Sequence, residues 1–465
     1  MIKTKIIATI GPACESEETM GKMIDAGMSA ARFNMSHGTQ GQHGERLLTL
    51  RRVEKERDVI VSKIIDLRGP DIRVGRIEDG VLLEEGKTFT LTEEDVLGNR
   101  EKASVLVEGL GRFLPPGAKI LVDDGKIALF VKKVSGKEIV CTVLRGGPIL
   151  SNKSVTTPAV DVPLPFLSEK DIGDIAFCRE NRMDYIAASF TKTAEDILDL
   201  QQHMVGTRCA IIAKIEHPRA IENMDDIIAV SDGIMVARGD LGVEIAPETV
   251  PLIQKEIIDR CNMAGKPVIT ATQMLESMVA SPLPTRAETS DVANAILDGT
   301  DAIMLSEETA VGKYPVESVL MMARIAQKME ARLKIKSFPK RKTVRAAVCH
   351  STFEASVDLD ACAIIAPTST GNTARLMSQF RPTCPIIALT TKEMAGKLAL
   401  FWGVFPYVFD FKESTDEMVA SAIENAKHSG MIHEGDLVII TGGIPSGRGK
   451  PTNMMKVHRV GEELF

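Results

Sequence analysis

Short apolar runs ending in polar or glycine-bearing turns recur along the chain, and most are followed by helical periodicity. They lie at Lys5 to Ile10, Ala30 to Asn34, Val59 to Ile65, Tyr185 to Ala188, Ala210 to Lys214, Gly233 to Ala237, Pro267 to Ala271 and Ala302 to Leu305. Eight strands alternating with helices are what a (β/α)8 TIM barrel requires, and such a barrel places its active site at the C-terminal ends of the strands. The polar residues at those ends are Asn34, Ser36, Asp66, Ser189, Lys214, Glu216, Asp240, Thr272 and Ser306. Any one alone is accounted for as a helix cap or turn residue. Their recurrence at successive strand ends points instead to a site. Ser168-Glu-Lys-Asp171 and Thr285-Arg-Ala-Glu288 read as capping boxes at helix starts, the second being the better match.

The rhythm breaks once, between the third run, ending near Asp66, and the fourth, beginning at Tyr185. From Asp71 to about Val162 the chain is rich in β-type runs with Gly-bearing turns, such as Lys119–Asp123, Ile127–Val131 and Ile139–Val143. A small all-β insertion is expected over 70–163, with the barrel formed by 1–69 and 164–336. Gly69-Pro70 and Pro163-Leu-Pro165 are its two crossing points, so the insertion is expected to hinge over the barrel mouth as a lid. Past the eighth run, a helical pattern through Met321–Leu333 gives way to Lys334-Ile-Lys-Ser-Phe-Pro-Lys-Arg-Lys342, read as a solvated basic connector. A C-terminal open α/β domain, 337–465, follows, with strands expected at Ala361–Ile365, Pro385–Leu389 and Asp436–Thr441. Its turn Thr368-Ser369-Thr370-Gly371-Asn372-Thr373 lies between a strand and a helix. That is either a simple cap or a place where hydroxyls and backbone N–H groups receive a phosphate.

Composition narrows the class without naming a chemistry. The 465 residues are enough for two to four domains, and 44% hydrophobic with 26% charged content is that of a soluble globular protein. No long apolar run is visible, and the N-terminal run leads straight into Gly11-Pro12, a strand and turn rather than a leader; a cytoplasmic location is expected, with no membrane partner. A net charge of −7 gives no general attraction for nucleic acid. Eight cysteines show no CxxC spacing, and Cys209, Cys349 and Cys362 lie within apolar runs, which favours reduced thiols over disulfides or zinc.

The most informative segment is Cys209-Ala-Ile-Ile-Ala-Lys214-Ile-Glu216. Strand alternation projects Lys214 and Glu216 to one side and Ile211 and Ile215 to the other. A buried Lys–Glu pair can be purely structural. Here the arrangement repeats downstream, where Gly233-Ile-Met-Val-Ala-Arg-Gly-Asp240 carries another acid at a strand end. Two such carboxylates suit one hard cation such as Mg²⁺, leaving Lys214 to face a phosphate.

Taken in order, the segments Lys5–Pro12 (KIIATIGP), Ala31–Gly38 (ARFNMSHG), Asp66–Arg73 (DLRGPDIR), Ile211–Glu216 (IIAKIE), Met235–Gly242 (MVARGDLG), Ala271–Met278 (ATQMLESM), Pro284–Glu288 (PTRAE) and Met304–Ser306 (MLS) resemble pyruvate kinases of the bacterial type without an extra C-terminal domain. The resemblance implies transfer of the phosphoryl group of phosphoenolpyruvate to ADP, giving pyruvate and ATP. Lys214 and Arg32 match the cations that neutralise the moving group, Glu216 and Asp240 the Mg²⁺ (or Mn²⁺) ligands, and backbone N–H groups around Gly239 and Asp240 the holder of the substrate carboxylate. Ser189 matches a substrate-site residue. Thr272 matches the threonine beside the carbon that is protonated, acting through water with Ser306. Asn34, Ser36, Asp66 and the Leu67 carbonyl match a K⁺ site; Arg32, Asn34, His37, Arg73 and the lid residue Lys153 match positions near the nucleotide. Thr368 to Thr373 match an effector-phosphate turn, which implies activation by a sugar phosphate or a nucleotide. A homotetramer is implied as well.

The chain departs from the family pattern in places. Leu67 and Asp71 stand where many potassium-dependent members have Thr and Glu, Glu307 replaces a common glycine, and Lys153-Ser-Val-Thr156 replaces Lys-Gly-Val-Asn. The loop Gly442–Lys450 lacks the tryptophan of many fructose-1,6-bisphosphate-responsive members, although Arg448 and Lys450 remain to meet a second phosphate. A metal-dependent lyase on a related barrel would need neither Lys153 nor a lid, and a non-enzymatic sensor would not need Lys214, Glu216 and Asp240 together. A P-loop kinase is excluded, because Gly449-Lys450 is followed by Pro451 and no GxxxxGK[ST] spacing occurs.

Overall fold

The computed structural model describes residues 1–158, 160–333, 342–412, 414–444 and 451–463. Eight parallel strands close a barrel: Lys5–Thr9, Met28–Asn34, Ser62–Asp66, Tyr185–Ala188, Ala210–Ile215, Gly233–Ala237, Val268–Ala271 and Ala302–Leu305. All eight expected runs are strands, the largest edge shift being from Val59 to Ser62. Alternation divides each strand between two cores. Ala31, Phe33, Ile65, Ile211, Ala213 and Ile215 pack against the surrounding helices, whereas Ala30, Ile64, Ala187, Ile212 and Met235 fill the barrel. The interior column then runs on into polar residues two positions later: Ala30 to Arg32, Ile64 to Asp66, Ala187 to Ser189, Ile212 to Lys214. The pleat thus delivers these four side chains to the C-terminal mouth.

Both expected capping boxes form, with Ser168 and Thr285 each accepting from the backbone N–H three residues on. Between the third and fourth barrel strands the chain builds a six-stranded sheet around its own apolar core, with Lys119–Val122, Ile127–Ser135 and Glu138–Arg145 adjacent. The C-terminal sheet has five strands in the order Val404–Val408, Ile386–Thr390, Ala363–Pro367, Leu437–Gly442 and Met454–Arg459, the last antiparallel. The two outer strands escape a reading based on apolar runs because they are half-exposed edges, one carrying Pro406 and the other Lys456 and Arg459. Most of the basic connector, 334–341, and the loop 445–450 with Arg448 and Lys450 lie outside the described residues. No helix among the described residues is long and apolar enough to cross a membrane.

The C-terminal domain closes the far end of the barrel. Leu400 joins the interior cluster beside Tyr185 and Ile7, and the Tyr185 hydroxyl donates to the Lys397 carbonyl at 2.9 Å. Lys5, buried at this junction, donates to the Val404 carbonyl at 2.5 Å and lies 4.3 Å from the centre of the Phe405 ring. Burial lowers its pKa to about 7 despite Glu330 and Asp301 nearby. The unfolded chain therefore binds a proton that the folded chain does not between about pH 7 and 10, so this lysine makes stability rise with pH across that window. Urea titrations at pH 7 and pH 9 are expected to show a smaller pH increment for Lys5→Met than for the parent.

Candidate active site

Four barrel residues form a buried charge network at the mouth. The Arg32 guanidinium donates to Asp66 Oδ2 at 2.6 Å and to Thr9 Oγ1 at 3.0 Å. The Lys214 ammonium lies 3.3 Å from Asp66 Oδ1 and 2.9 Å from Glu216 Oε1, and donates to Ser189 Oγ at 2.7 Å. Ser189 passes its own hydrogen to the Leu67 carbonyl at 2.7 Å. Burial alone would discharge both Lys214 and Asp66. Instead Asp66, Glu216 and Asp240 hold the lysine pKa above its ordinary value, and Lys214 and Arg32 hold that of Asp66 below its own. A desolvated ammonium is therefore kept charged at the base of the cleft.

The carboxylates are arranged differently from a closed ion-pair network. Glu216 Oε2 accepts the Phe190 N–H at 2.6 Å. Its Oε1 is buried and makes no hydrogen bond, because the nearby Lys214 contact is an ion pair without hydrogen-bond alignment. Asp240 is pushed up to about 7 by burial and then by the Glu216 charge, with Lys214 opposing. Glu216 and Asp240 are thus two buried carboxylates that repel one another, one with an oxygen that makes no hydrogen bond. They fit a divalent ion of the Mg²⁺ type completed by substrate oxygens. No group of three or more His, Cys, Asp or Glu among the described residues forms a complete metal cage.

Thr272 follows the seventh strand and, with Gln273, has left-handed backbone (φ 67° and 54°). For a β-branched residue this is uncommon and costs about 1–3 kcal/mol. Arg238 holds the turn, donating to the Thr272 carbonyl at 2.7 Å and pairing with Asp291 at 2.7 Å. The Thr272 hydroxyl is engaged with backbone, 2.7 Å from both the Gly239 nitrogen and the Ala271 carbonyl oxygen. Thr272 is thus tied to Gly239, which stands immediately before Asp240 in the chain.

The cleft, about 380 Å³, runs from this network to the lid and is lined by Asn34, Ser36, His37, Leu67, Arg73 and Lys153 among others. Lys153 pairs with Asp123 at 2.9 Å. His37 is held below its ordinary pKa by burial, Arg73 and Arg32. One cleft thus brings together Arg32, Asn34, Ser36, His37, Asp66, Leu67, Arg73, Lys153, Ser189, Lys214, Glu216 and Asp240, whereas Gly239, Thr272 and Ser306 are not among its lining residues. The turn Thr368–Thr373 lies apart, in the C-terminal domain, where the Thr373 and Thr452 hydroxyls are 2.8 Å apart.

Residues 1–319 match the family described as "Pyruvate kinase, barrel domain", and residues 346–458 match "Pyruvate kinase, alpha/beta domain". The chain belongs to the pyruvate kinase family. A pyruvate kinase of Geobacillus stearothermophilus is 46% identical over 475 residues, covering 99% of this chain and 81% of the relative. One from Clostridium acetobutylicum is 44% identical, covering 99% of this chain and 100% of the relative. The crystal structure of a pyruvate kinase from Cryptosporidium parvum superposes with a TM-score of 0.91 at 40% identity, covering 98% of this chain and 96% of that one. The chain is accordingly an enzyme, a phosphotransferase of the pyruvate kinase type.

Some lining residues of this pyruvate kinase fold were not foreseen. Glu244 sits one helical turn beyond Asp240 on the short helix Arg238–Glu244, so the i, i+4 spacing was a usable signal. Burial raises its carboxyl to about 7, and its Oε2 is buried without a hydrogen-bond partner. Asp161, between the lining residues Val160 and Val162 on the returning crossing from the lid, pairs with the lining residue Lys192 and with Arg219 at 2.5 Å each. These contacts join loops far apart in sequence, and no local pattern announces them.

Proposed function

We propose that the cleft transfers the phosphoryl group of phosphoenolpyruvate to ADP, giving pyruvate and ATP, the last step of glycolysis. The observation that carries this reading is the buried Lys214 ammonium, kept charged beside Glu216 and Asp240 at the barrel mouth. Phosphoryl transfer needs charge neutralised on the moving group more than it needs a covalent partner. Lys214 and Arg32 supply fixed positive charge there, and Ser189 orients the lysine by accepting from its Nζ. Glu216 and Asp240 would hold Mg²⁺ or Mn²⁺, which when bound polarises substrate oxygens as a Lewis acid. The Gly239 N–H, which donates to Thr272 Oγ1 in this structure, would turn with that of Asp240 to the substrate carboxylate on binding. Thr272 is too weakly acidic to protonate the enolate unaided, so its hydroxyl would pass a proton through water.

ADP would be held by Arg32, Asn34, His37, Arg73 and Lys153, which line the cleft. For K⁺, Asn34, Ser36, Asp66 and the Leu67 carbonyl offer only oxygen donors from the ends of neighbouring strands, where Asn34 pairs in register with Asp66. Asp71 is met by arginine, with Arg68 Nε at 3.7 Å and Arg73 closer. K⁺ activation is the expected result, and full activity in buffer free of both sodium and potassium would remove this cation reading. The enzyme is read as a cytoplasmic homotetramer activated by a phosphorylated sugar or nucleotide at Thr368, Ser369, Thr370, Gly371, Asn372 and Thr373. Activation is expected to be lost in Thr373→Ala, and an unchanged effector response would move the effector elsewhere.

The function itself is tested by following pyruvate from phosphoenolpyruvate. Formation that requires both ADP and Mg²⁺ is expected; formation without ADP would mean hydrolysis or lysis instead.

A further inference from the structure

His43 lies on the helix Gln40–Arg57, in the barrel layer behind the cleft, and is 2% exposed. Its Nε2 is 2.8 Å from the His37 carbonyl oxygen. A carbonyl only accepts, so Nε2 carries the hydrogen and Nδ1 is the lone-pair nitrogen. That Nδ1 is buried with no hydrogen-bond partner. Burial, with Arg46 and Lys170 adding to it, keeps the ring below its ordinary pKa and therefore neutral. A neutral buried imidazole with one unmet nitrogen is a poor choice for packing alone, where leucine or phenylalanine would leave no polar atom unsatisfied. What histidine adds at this position is its grip on the His37 carbonyl.

The gripped segment is the turn that leaves the second barrel strand. Ser36 N–H donates to Asn34 Oδ1 at 3.1 Å, Met35 N–H to the Asp66 carbonyl at 3.0 Å, and His37 N–H to the Asn34 carbonyl at 3.3 Å. Gly38 closes it in left-handed backbone (φ 74°), where a Cβ would come within 3.0 Å of Gln42 Oε1 and 3.5 Å of His43 Nε2. The turn is thus seated directly on His43. We infer that His43 is a positioning residue that fixes the Asn34–Gly38 turn and thereby sets affinity for the nucleotide and the monovalent cation, leaving phosphoenolpyruvate binding and the chemical step to the Lys214 side of the cleft. The inference rests on the nucleotide and cation reading given above.

The test compares His43→Gln, whose amide nitrogen reaches the place of Nε2, with His43→Leu and with His43→Asn, whose amide is too short. In the Leu and Asn variants the Kd for ADP, by equilibrium dialysis without phosphoenolpyruvate, and the K⁺ concentration for half activation are expected to rise about five- to tenfold, the worth of one buried hydrogen bond. KM for phosphoenolpyruvate and kcat at saturating ADP and K⁺ are expected to stay within about twofold, and the Gln variant is expected to recover both affinities. Should the Leu variant fail to fold, the Asn and Gln pair gives the same contrast. Unchanged ADP and K⁺ constants in Leu or Asn, or losses that Gln does not reverse, would overturn the inference while leaving the reaction intact. An unsubstituted protein that binds no ADP would overturn the nucleotide reading together with the inference.

Discussion

Lys214→Met is expected to lower kcat for pyruvate formation by about a thousandfold or more, the scale seen when a fixed cation is removed from a phosphoryl-transfer site. Its ammonium is the charge nearest the base of the cleft, held by Asp66, Glu216 and Ser189. Methionine keeps much of the aliphatic length and removes only the charge and the donors. The loss should therefore fall on kcat, with a smaller change in phosphoenolpyruvate affinity, because Arg32 and the Gly239–Asp240 backbone stay in place. Stability should also fall. Breaking a buried pair costs about 3–5 kcal/mol when the partner is left bare; Asp66 keeps Arg32 at 2.6 Å, but Glu216 loses the ammonium 2.9 Å away, so a loss within that range is expected. Steady-state kinetics and urea titration on one preparation separate the two effects. A variant within tenfold of the parent rate would remove Lys214 from the chemistry.

Asp240→Asn should weaken divalent-metal binding by on the order of a hundredfold or more, since it removes one of two charged donors. Glu216→Gln should do the same and should also disturb the Phe190 N–H contact at 2.6 Å. The metal-free stabilities of the two should differ in sign. Asp240 is disfavoured in its charged form by burial and by Glu216, so asparagine relieves repulsion and is expected to raise the melting temperature without metal. Glu216 is balanced by Lys214, so glutamine leaves that ammonium with one partner fewer and is expected to lower it. Mn²⁺ binding followed by paramagnetic resonance reads the metal directly, without turnover. Equal Mn²⁺ affinity in parent and Asp240→Asn would place the metal elsewhere.

The barrel was legible because its strands are buried on both faces and read as apolar runs, and because alternation carries Arg32, Asp66, Ser189 and Lys214 from interior columns to the mouth. Lys214 and Glu216 were predicted to share a side, and their charged atoms lie 2.9 Å apart. Alternation says nothing of Thr272, whose left-handed turn ends the strand pattern and ties its hydroxyl to Gly239. Nor could it expose the edge strands Val404–Val408 and Met454–Arg459, whose half-solvated faces interrupt any apolar run. Contacts such as Asp161 with Lys192 and Arg219 depend on how the lid returns to the barrel, which is tertiary information. Glu244 is the intermediate case. Its helical spacing from Asp240 was available in the sequence, but its burial was not.

The measurement that bears most directly on the central claim is the fate of the phosphoryl group. Phosphoenolpyruvate labelled with ³²P is incubated with ADP, Mg²⁺ and K⁺, and ATP, inorganic phosphate and pyruvate are separated and counted. Label recovered in ATP, one for each pyruvate formed, is the result predicted here. Label released as inorganic phosphate, or left in phosphoenolpyruvate under every cation condition, would contradict it.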